Sequence, residues 1–398
     1  ENALLGSVEW WRPYLPPSAP GAAAHNAELD RQAMSLEGFS TAFSTQPGKV
    51  LAFKVDYVFP EAQGSLASAY FFSLRIYRLG YYGGVGARLV ATVPLEIGGA
   101  SHRHARHSYF ESNSARYGHS QPECQLKAAL FVDCANWSDG ATWAVPAAAV
   151  SGIYLAVPHA KPRFANGPHA LTGQYIPFVL TNPPGQGSAL LVKTSDLTWV
   201  AYNKYGGSNL YEPPQNQTAP KPKGFDGRGV IASYNRPWHN RLSFPLGQAH
   251  NFLLHTEYPL LHWLEKQSYD VSYASCWDFE RTFFPPQSTA AASPTAMAQF
   301  MRYRVFISSG HDEYWTARMR QVWAAARGAC VCVCVCVCVC VCMCVESIVE
   351  MCVCFTRCIL TFSSLPSAPH CRSWCAPCFL LRQRDVLARR VVLRRQAR

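Results

Sequence analysis

Three short stretches hold most of the side chains in this 398-residue chain that could do chemistry. Ser309-Gly-His-Asp-Glu-Tyr-Trp315 sets an imidazole and two carboxylates side by side (His311, Asp312, Glu313). Such groups exchange protons or bind hard cations through oxygen. Residues 195–211 and 232–238 are rich in tyrosine, and each holds a Tyr-Asn pair after an apolar stretch, Tyr202-Asn203 and Tyr234-Asn235. A phenol with a pKa near ~10 ligates poorly until a hard cation displaces its proton, and the phenolate then favours ferric iron over softer metals. Each group also has a plainer reading. Asp312 and Glu313 stand where carboxylates cap a following helix. Tyrosines and asparagines near strand ends commonly serve packing and turns.

The elements that must position these groups follow two patterns. Residues 1–188 carry short alternating or β-branched runs at 50–58, 70–79, 88–95, 128–132, 152–157 and 176–180, separated by Gly, Pro and Ser clusters. This spacing predicts an all-β sandwich. Asn182-Pro-Pro-Gly-Gln-Gly-Ser188 reads as a linker. From residue 189 strands alternate with helices: a strand at 189–192, a helix at 256–266, strands at 269–274 and 303–309, and a helix at 316–326. That order predicts an α/β domain with a parallel sheet, whose functional loops follow the carboxyl ends of its strands. The next strand is due near residue 330, where the chain turns to nearly unbroken Cys-Val alternation from Cys330 to Cys344, as a translated TG dinucleotide repeat would. The α/β domain therefore reads as truncated at 189–328. Residues 329–398 read as an aberrant repeat with an Arg-rich tail, outside the native fold.

Composition is dominated by that tail. Of seventeen cysteines only Cys124, Cys134 and Cys276 precede residue 329, and the tail's nine arginines against three acids contribute +6 of the formal +11. Charge thus gives little support for a nucleic-acid partner. The ~328 residues before the tail suit two domains with separate cores. No apolar run there reaches the ~20 residues of a membrane span. The chain opens on Glu1 with no leader pattern, while the sequons Asn136-Trp-Ser and Asn216-Gln-Thr would suit a secreted protein. Cys124 and Cys134 would pair in an oxidising compartment or stay buried as thiols elsewhere.

Four phrases, Ile76-Tyr-Arg-Leu-Gly-Tyr-Tyr-Gly-Gly-Val-Gly-Ala-Arg-Leu89, Thr198-Trp-Val-Ala-Tyr-Asn-Lys-Tyr-Gly-Gly207, Glu257-Tyr-Pro-Leu-Leu-His-Trp-Leu264 and Ser309-Gly-His-Asp-Glu-Tyr-Trp315, resemble in this order the large (β) subunit of N,N-dimethylformamidase and its relatives. The likeness runs over about residues 35–328. It implies a β-sandwich joined to a Rossmann-like α/β domain, and hydrolysis of a small amide at a mononuclear Fe(III) held by two tyrosines and a glutamate. A small partner subunit or a homo-oligomer belongs to the same expectation. Carried over residue by residue, the glutamate is Glu313, His311 lies beside the metal, and the tyrosines are Tyr202 and Tyr234, with Tyr205 and Tyr258 as alternatives. Two phenolates and a carboxylate would offset the charge of Fe(III) and leave positions for water and substrate. Such an ion polarises an amide carbonyl and acidifies bound water, which His311 would orient or deprotonate. The rival expectation is a carbohydrate- or surface-binding protein in which the β-sandwich is the working part.

Two further motifs call for no special chemistry. His102-Arg-His-Ala-Arg-His107 reads as a solvated connection, because its arginines repel cations. Ser373-Trp-Cys-Ala-Pro-Cys378 resembles a thioredoxin active-site sequence. It lacks the strand and helix N-terminus that lower a thiol pKa there.

Overall fold

The computed structural model describes residues 1–11, 18–60, 67–98, 102–105, 116–127, 131–166, 168–183, 185–206, 209–211, 231–238, 253–283, 300, 302–317, 319–320 and 332–335. Most of the regular structure is β. The strands of the first part are β1 (Leu36–Ser40), β2 (Ser44–Thr45), β3 (Val50–Pro60), β4 (Tyr70–Leu79), β5 (Ala87–Pro94), β6 (His102–Ala105), β7 (Arg116–His119), β8 (Gln125–Lys127), β9 (Phe131–Asp133), β10 (Ala141–Ala144), β11 (Gly152–Pro162), β12 (Leu171–Thr172) and β13 (Ile176–Leu180). They form one sheet in the order β1-β3-β7-β6, with β10 also on β3, and another in the order β2-β13-β11-β4-β5, with β12 on β11. β8 and β9 make a separate hairpin.

The two larger sheets share one core because their alternating residues face each other. On β3 every second side chain, Leu51, Phe53, Val55, Tyr57 and Phe59, enters it, as a two-residue strand period requires. Leu74 and Ile76 of β4, Tyr154 of β11 and Ile176 and Phe178 of β13 meet them from the other sheet. Phe53 and Phe178 touch edge to face across the gap, with ring centroids 5.6 Å apart. Burying one such ring is worth about 1.5–3 kcal/mol.

Three features depart from the sequence expectations. A helix, α1 (Ala22–Ser35), precedes the strands, and its Ala, Glu, Leu, Arg, Gln and Met residues have high helix propensity. Glu28 there accepts bonds from Arg31 at 2.7 Å and Gln32 at 2.6 Å one turn on. His102–Ala105, expected as a solvated connection, is instead strand β6, paired antiparallel with β7 from His102↔His119 to Ala105↔Arg116. It is the edge strand of its sheet, a position where charged residues are favoured. Arg106 and His107 lie outside the described residues. The strand expected at 128–132 appears as β9, and residues 128–130 are also outside them.

The second part carries β14 (Leu190–Lys193), α2 (Asp196–Tyr202), α3 (Leu253–Thr256), α4 (Tyr258–Lys266), β15 (Val271–Ala274), α5 (Cys276–Phe283), β16 (Val305–Ser308) and β17 (Cys332–Val335). Its sheet runs β15-β14-β16-β17, and every pairing is parallel. The start of the Cys-Val repeat, read from sequence as outside the fold, thus provides a fourth strand in register with Val305–Ser308. The rest of 336–398, including the Cys375/Cys378 motif, lies outside the described residues, as does Asn216.

The two parts are joined by buried polar contacts. Arg78 of β4 meets Glu265 of α4 at 2.8 Å, with side chains only 3% and 6% exposed. Arg78 also donates to the Ser151 carbonyl at 2.9 Å, and Tyr273 donates to Glu265 at 3.0 Å. Ser44 donates to Asp278. Cys124 and Cys134 form a disulfide across the β8–β9 hairpin and pack with Phe39, Trp137 and Tyr205.

Candidate functional site

Strands β14 and β16 lie side by side, so the segments leaving their carboxyl ends meet. Lys193 ends β14 as a lone charge on a buried apolar strand, and its ammonium lies 2.6 Å from Asp312 Oδ2 with both side chains 0% exposed. Burial disfavours the Lys193 charge, and the neighbouring Asp312 carboxylate outweighs it, holding the ammonium pKa above its ordinary value. Ser308 donates to the same Asp312 oxygen. Asp312 is therefore a structural anchor. The helix-cap reading of Asp312 and Glu313 gives way, since Thr316 Oγ1 accepts the Met319 N–H at 3.1 Å and caps that helix itself. Residues 321–326 of the expected helix lie outside the described residues.

With Asp312 held inward, Glu313 turns the other way. Its N–H donates to Thr198 Oγ1 of α2 at 3.0 Å, and its carboxylate accepts the Tyr202 hydroxyl at 2.9 Å. His311 Nε2 lies 3.6 Å from the same carboxylate oxygen, Glu313 Oε2, with the two side chains 20% and 35% exposed. The rings of Tyr202 and His311 are 5.8 Å apart. Three of the four residues expected at the site therefore converge.

Two tyrosines not singled out by sequence complete the group. Tyr211 stacks on Tyr202 with centroids 4.1 Å apart, and the Tyr314 hydroxyl donates to that of Tyr211 at 2.8 Å. Burial raises the pKa of both Tyr202 and Tyr211, and Glu313 adds to each shift. Only the density of tyrosines in 195–211 and the Glu-Tyr pair at 313–314 hinted at them.

Tyr234 holds a different station. Its hydroxyl donates to Asp196 Oδ2 at 2.6 Å and its ring packs on Phe43 at 5.4 Å. The segment carrying it is fixed to α2 by Arg236, which donates to the carbonyls of Val200 and Tyr205 at 2.9 Å each. Of the alternatives, Tyr205 is buried and donates to Glu37 of β1 at 3.0 Å. Tyr258 packs on Trp10 at 5.3 Å and on His262 at 5.7 Å.

Beneath the group lies Glu257, which sequence reading did not select as a site residue. Its Oε1 accepts the Ser195 N–H at 3.0 Å, the Ser195 hydroxyl and the Trp199 indole N–H at 2.9 Å, and its Oε2 lies 3.1 Å from Ser309 Oγ. Burial pushes its pKa up to about 8, against the bonds from Ser195. Gly310, at φ +70°, lets the His311–Glu313 segment pass over it, since a Cβ there would stand 2.5 Å from Glu257 Cγ.

Among the described residues no group of three or more His, Cys, Asp or Glu side chains could hold a metal. An ion at this place would need phenol oxygen. The Tyr202 phenol and the Glu313 carboxylate, 2.9 Å apart, are the oxygens that would hold it.

The chain is thus a β-rich protein with a tyrosine–carboxylate–imidazole group at the carboxyl ends of a parallel sheet. Residues 73–335, well over half of its length, match the family described as N,N-dimethylformamidase beta subunit-like, C-terminal, and the chain belongs to that family. No curated protein sequence matches it. A solved family 123 glycoside hydrolase from Clostridium perfringens is similar over 42% of this chain and 32% of its own, at 10% identity and a TM-score of 0.19. The chain spans about a third of that hydrolase, and so distant a likeness carries no argument. Among the described residues no helix is long and apolar enough to cross a membrane.

Proposed function

We propose that this chain hydrolyses a small amide at a single Fe(III) ion held by Tyr202, Glu313 and a second tyrosine, Tyr234 by the family resemblance or else Tyr211, with His311 beside it. The observation that carries the reading is the meeting of the Tyr202 hydroxyl, the Glu313 carboxylate and His311 Nε2 around one oxygen, at 2.9 and 3.6 Å. Membership of a dimethylformamidase-like family supports it. On this reading the parallel sheet belongs to a Rossmann-like domain, and the beta-subunit-like family makes a partner subunit or a second copy of the chain the expected companion.

When bound, the ion supplies a Lewis acid for the amide carbonyl and an acidified water. The chain supplies the rest. Glu313 and, once the ion displaces its proton, Tyr202 would hold negative charge on one side, while Lys193 and Asp312 keep the loop from shifting. His311, partly open to solvent, takes the proton of the attacking water and returns it to the departing amine. The rings of Tyr202, Tyr211 and Tyr314, packed on one another, would give the alkyl groups of an amide without N–H donors an apolar border.

Two phenols compete for the third ligand place. Tyr234 is implied by the family resemblance and must release Asp196 to serve. Tyr211 already stacks on Tyr202. Iron content of Tyr234→Phe and Tyr211→Phe chains assigns the place to whichever substitution removes the metal. The activity is tested by incubating the full chain, with and without added iron, with N,N-dimethylformamide and following dimethylamine release. Iron-dependent release supports the proposal. Its absence, together with retention of the chain on a glycan matrix, would favour the carbohydrate-binding alternative.

A further inference from the structure

The hydrogen bonds around Glu257 can be counted proton by proton. Oε1 accepts the Ser195 N–H and hydroxyl and shares the Trp199 indole N–H with Ser195 Oγ, so that oxygen is an acceptor only. Oε2 lies 3.1 Å from Ser309 Oγ, and Ser309 Oγ lies 2.9 Å from the carbonyl oxygen of Lys193. Ser309 owns one hydroxyl proton, and a carbonyl has none to give. The Lys193 carbonyl also accepts the Ser309 N–H at 3.2 Å, and a proton on Glu257 Oε2 completes a chain from Glu257 through Ser309 to Lys193 in which each contact has its own hydrogen.

We propose that Glu257 is a neutral positioning residue whose single proton ties helix α2, which bears Tyr202, to the segment bearing His311 and Glu313. Its significance for catalysis rests on the site reading above, whereas the hydrogen-bond count does not. The surroundings agree with a neutral acid. Burial raises its pKa to about 8, and the carboxylates of Asp196 on α2 and Asp312 after β16 add to the rise. Lys193, the cation at the end of β14, is paired with Asp312. Tyr258, next along its own helix, carries no charge in this range, because burial raises its pKa too. Loss of the proton leaves a carboxylate oxygen facing Ser309 Oγ without a shared hydrogen, so the two segments separate as the medium becomes alkaline.

Glu257→Gln tests this in the full chain, because an amide N–H can donate to Ser309 Oγ without titrating. The unfolding midpoint is followed from about pH 4 to about pH 9, alongside iron retention. The wild-type midpoint should fall relative to that of Glu257→Gln between about pH 4.5 and about pH 8 and run parallel to it above, and Glu257→Ala should be low throughout. Iron should leave the wild type before it leaves the glutamine chain. Identical profiles of wild type and Glu257→Gln between about pH 4.5 and about pH 8 overturn the proposal, as does a glutamine chain no more stable than the alanine chain near neutrality. If Glu257→Ala does not fold, the wild-type and glutamine profiles still decide. A wild type that binds no iron removes the site reading and leaves the pH comparison to judge Glu257 alone.

Discussion

Asp312 and Glu313 are neighbours in sequence with opposite duties. Asp312 is sealed against Lys193, so Asp312→Asn leaves a buried ammonium without its counter-charge and should cost about 3–5 kcal/mol. Glu313 is a third exposed, and Glu313→Ala should change stability by no more than about 0.5–1 kcal/mol while abolishing metal binding. Denaturant unfolding of the two variants checks the contrast. Acid should release the metal too, since phenols whose pKa values are raised by burial hold their protons against an incoming cation. The alkaline limit has the opposite sign. Glu257 has a raised folded-state pKa, so its contribution to stability is complete below the ordinary carboxylate value and is lost as pH rises through about 8. The His-Asp-Glu adjacency was legible in the sequence as chemistry. Which carboxylate faces inward was not, because that is decided by Lys193 on a strand far away in the chain.

At the scale of elements, the turn after β16 sets the site. Gly310→Ala puts a Cβ 2.5 Å from Glu257 Cγ at a positive φ, and should cost roughly 1–3 kcal/mol while weakening iron binding. Thermal unfolding together with metal titration measures both effects. Strands such as β3 and β4 could be anticipated because their alternation survives in the sequence, and the β-rich character followed from it. β1 was not, since Leu36-Glu-Gly-Phe-Ser40 hides its pattern. Glu37 is buried against Tyr205, and Gly38 is there because a Cβ would meet the Lys54 carbonyl oxygen at 2.3 Å. β6 was missed because its histidines and arginine look like loop residues until the partner strand is known.

For the whole molecule, the Arg78–Glu265 pair couples the β-rich part to the part that carries the site. Removing the guanidinium strands a buried carboxylate, so Arg78→Ala should lower stability by about 3–5 kcal/mol and displace α4, on whose N-terminal flank Glu257 sits. The two parts should then unfold at more widely separated temperatures than in the wild type, which calorimetry would detect. The sequence motifs placed the chain in its family, and the match of residues 73–335 agrees. They did not reveal that Cys332–Val335 of the repeat pairs with β16, because a repetitive strand carries no mark of its neighbour. They also did not single out Tyr211, whose place depends on stacking between residues nine apart along one segment.

The central claim is that Tyr202 and Glu313 share one ferric ion. The direct measurement is the visible absorption of the full chain on titration with Fe(III), beside Tyr202→Phe and Glu313→Ala. A tyrosinate-to-iron charge-transfer band that saturates at about one iron per chain, and is lost in both variants, is the predicted result. No band in the wild type, or an undiminished band in either variant, would contradict it.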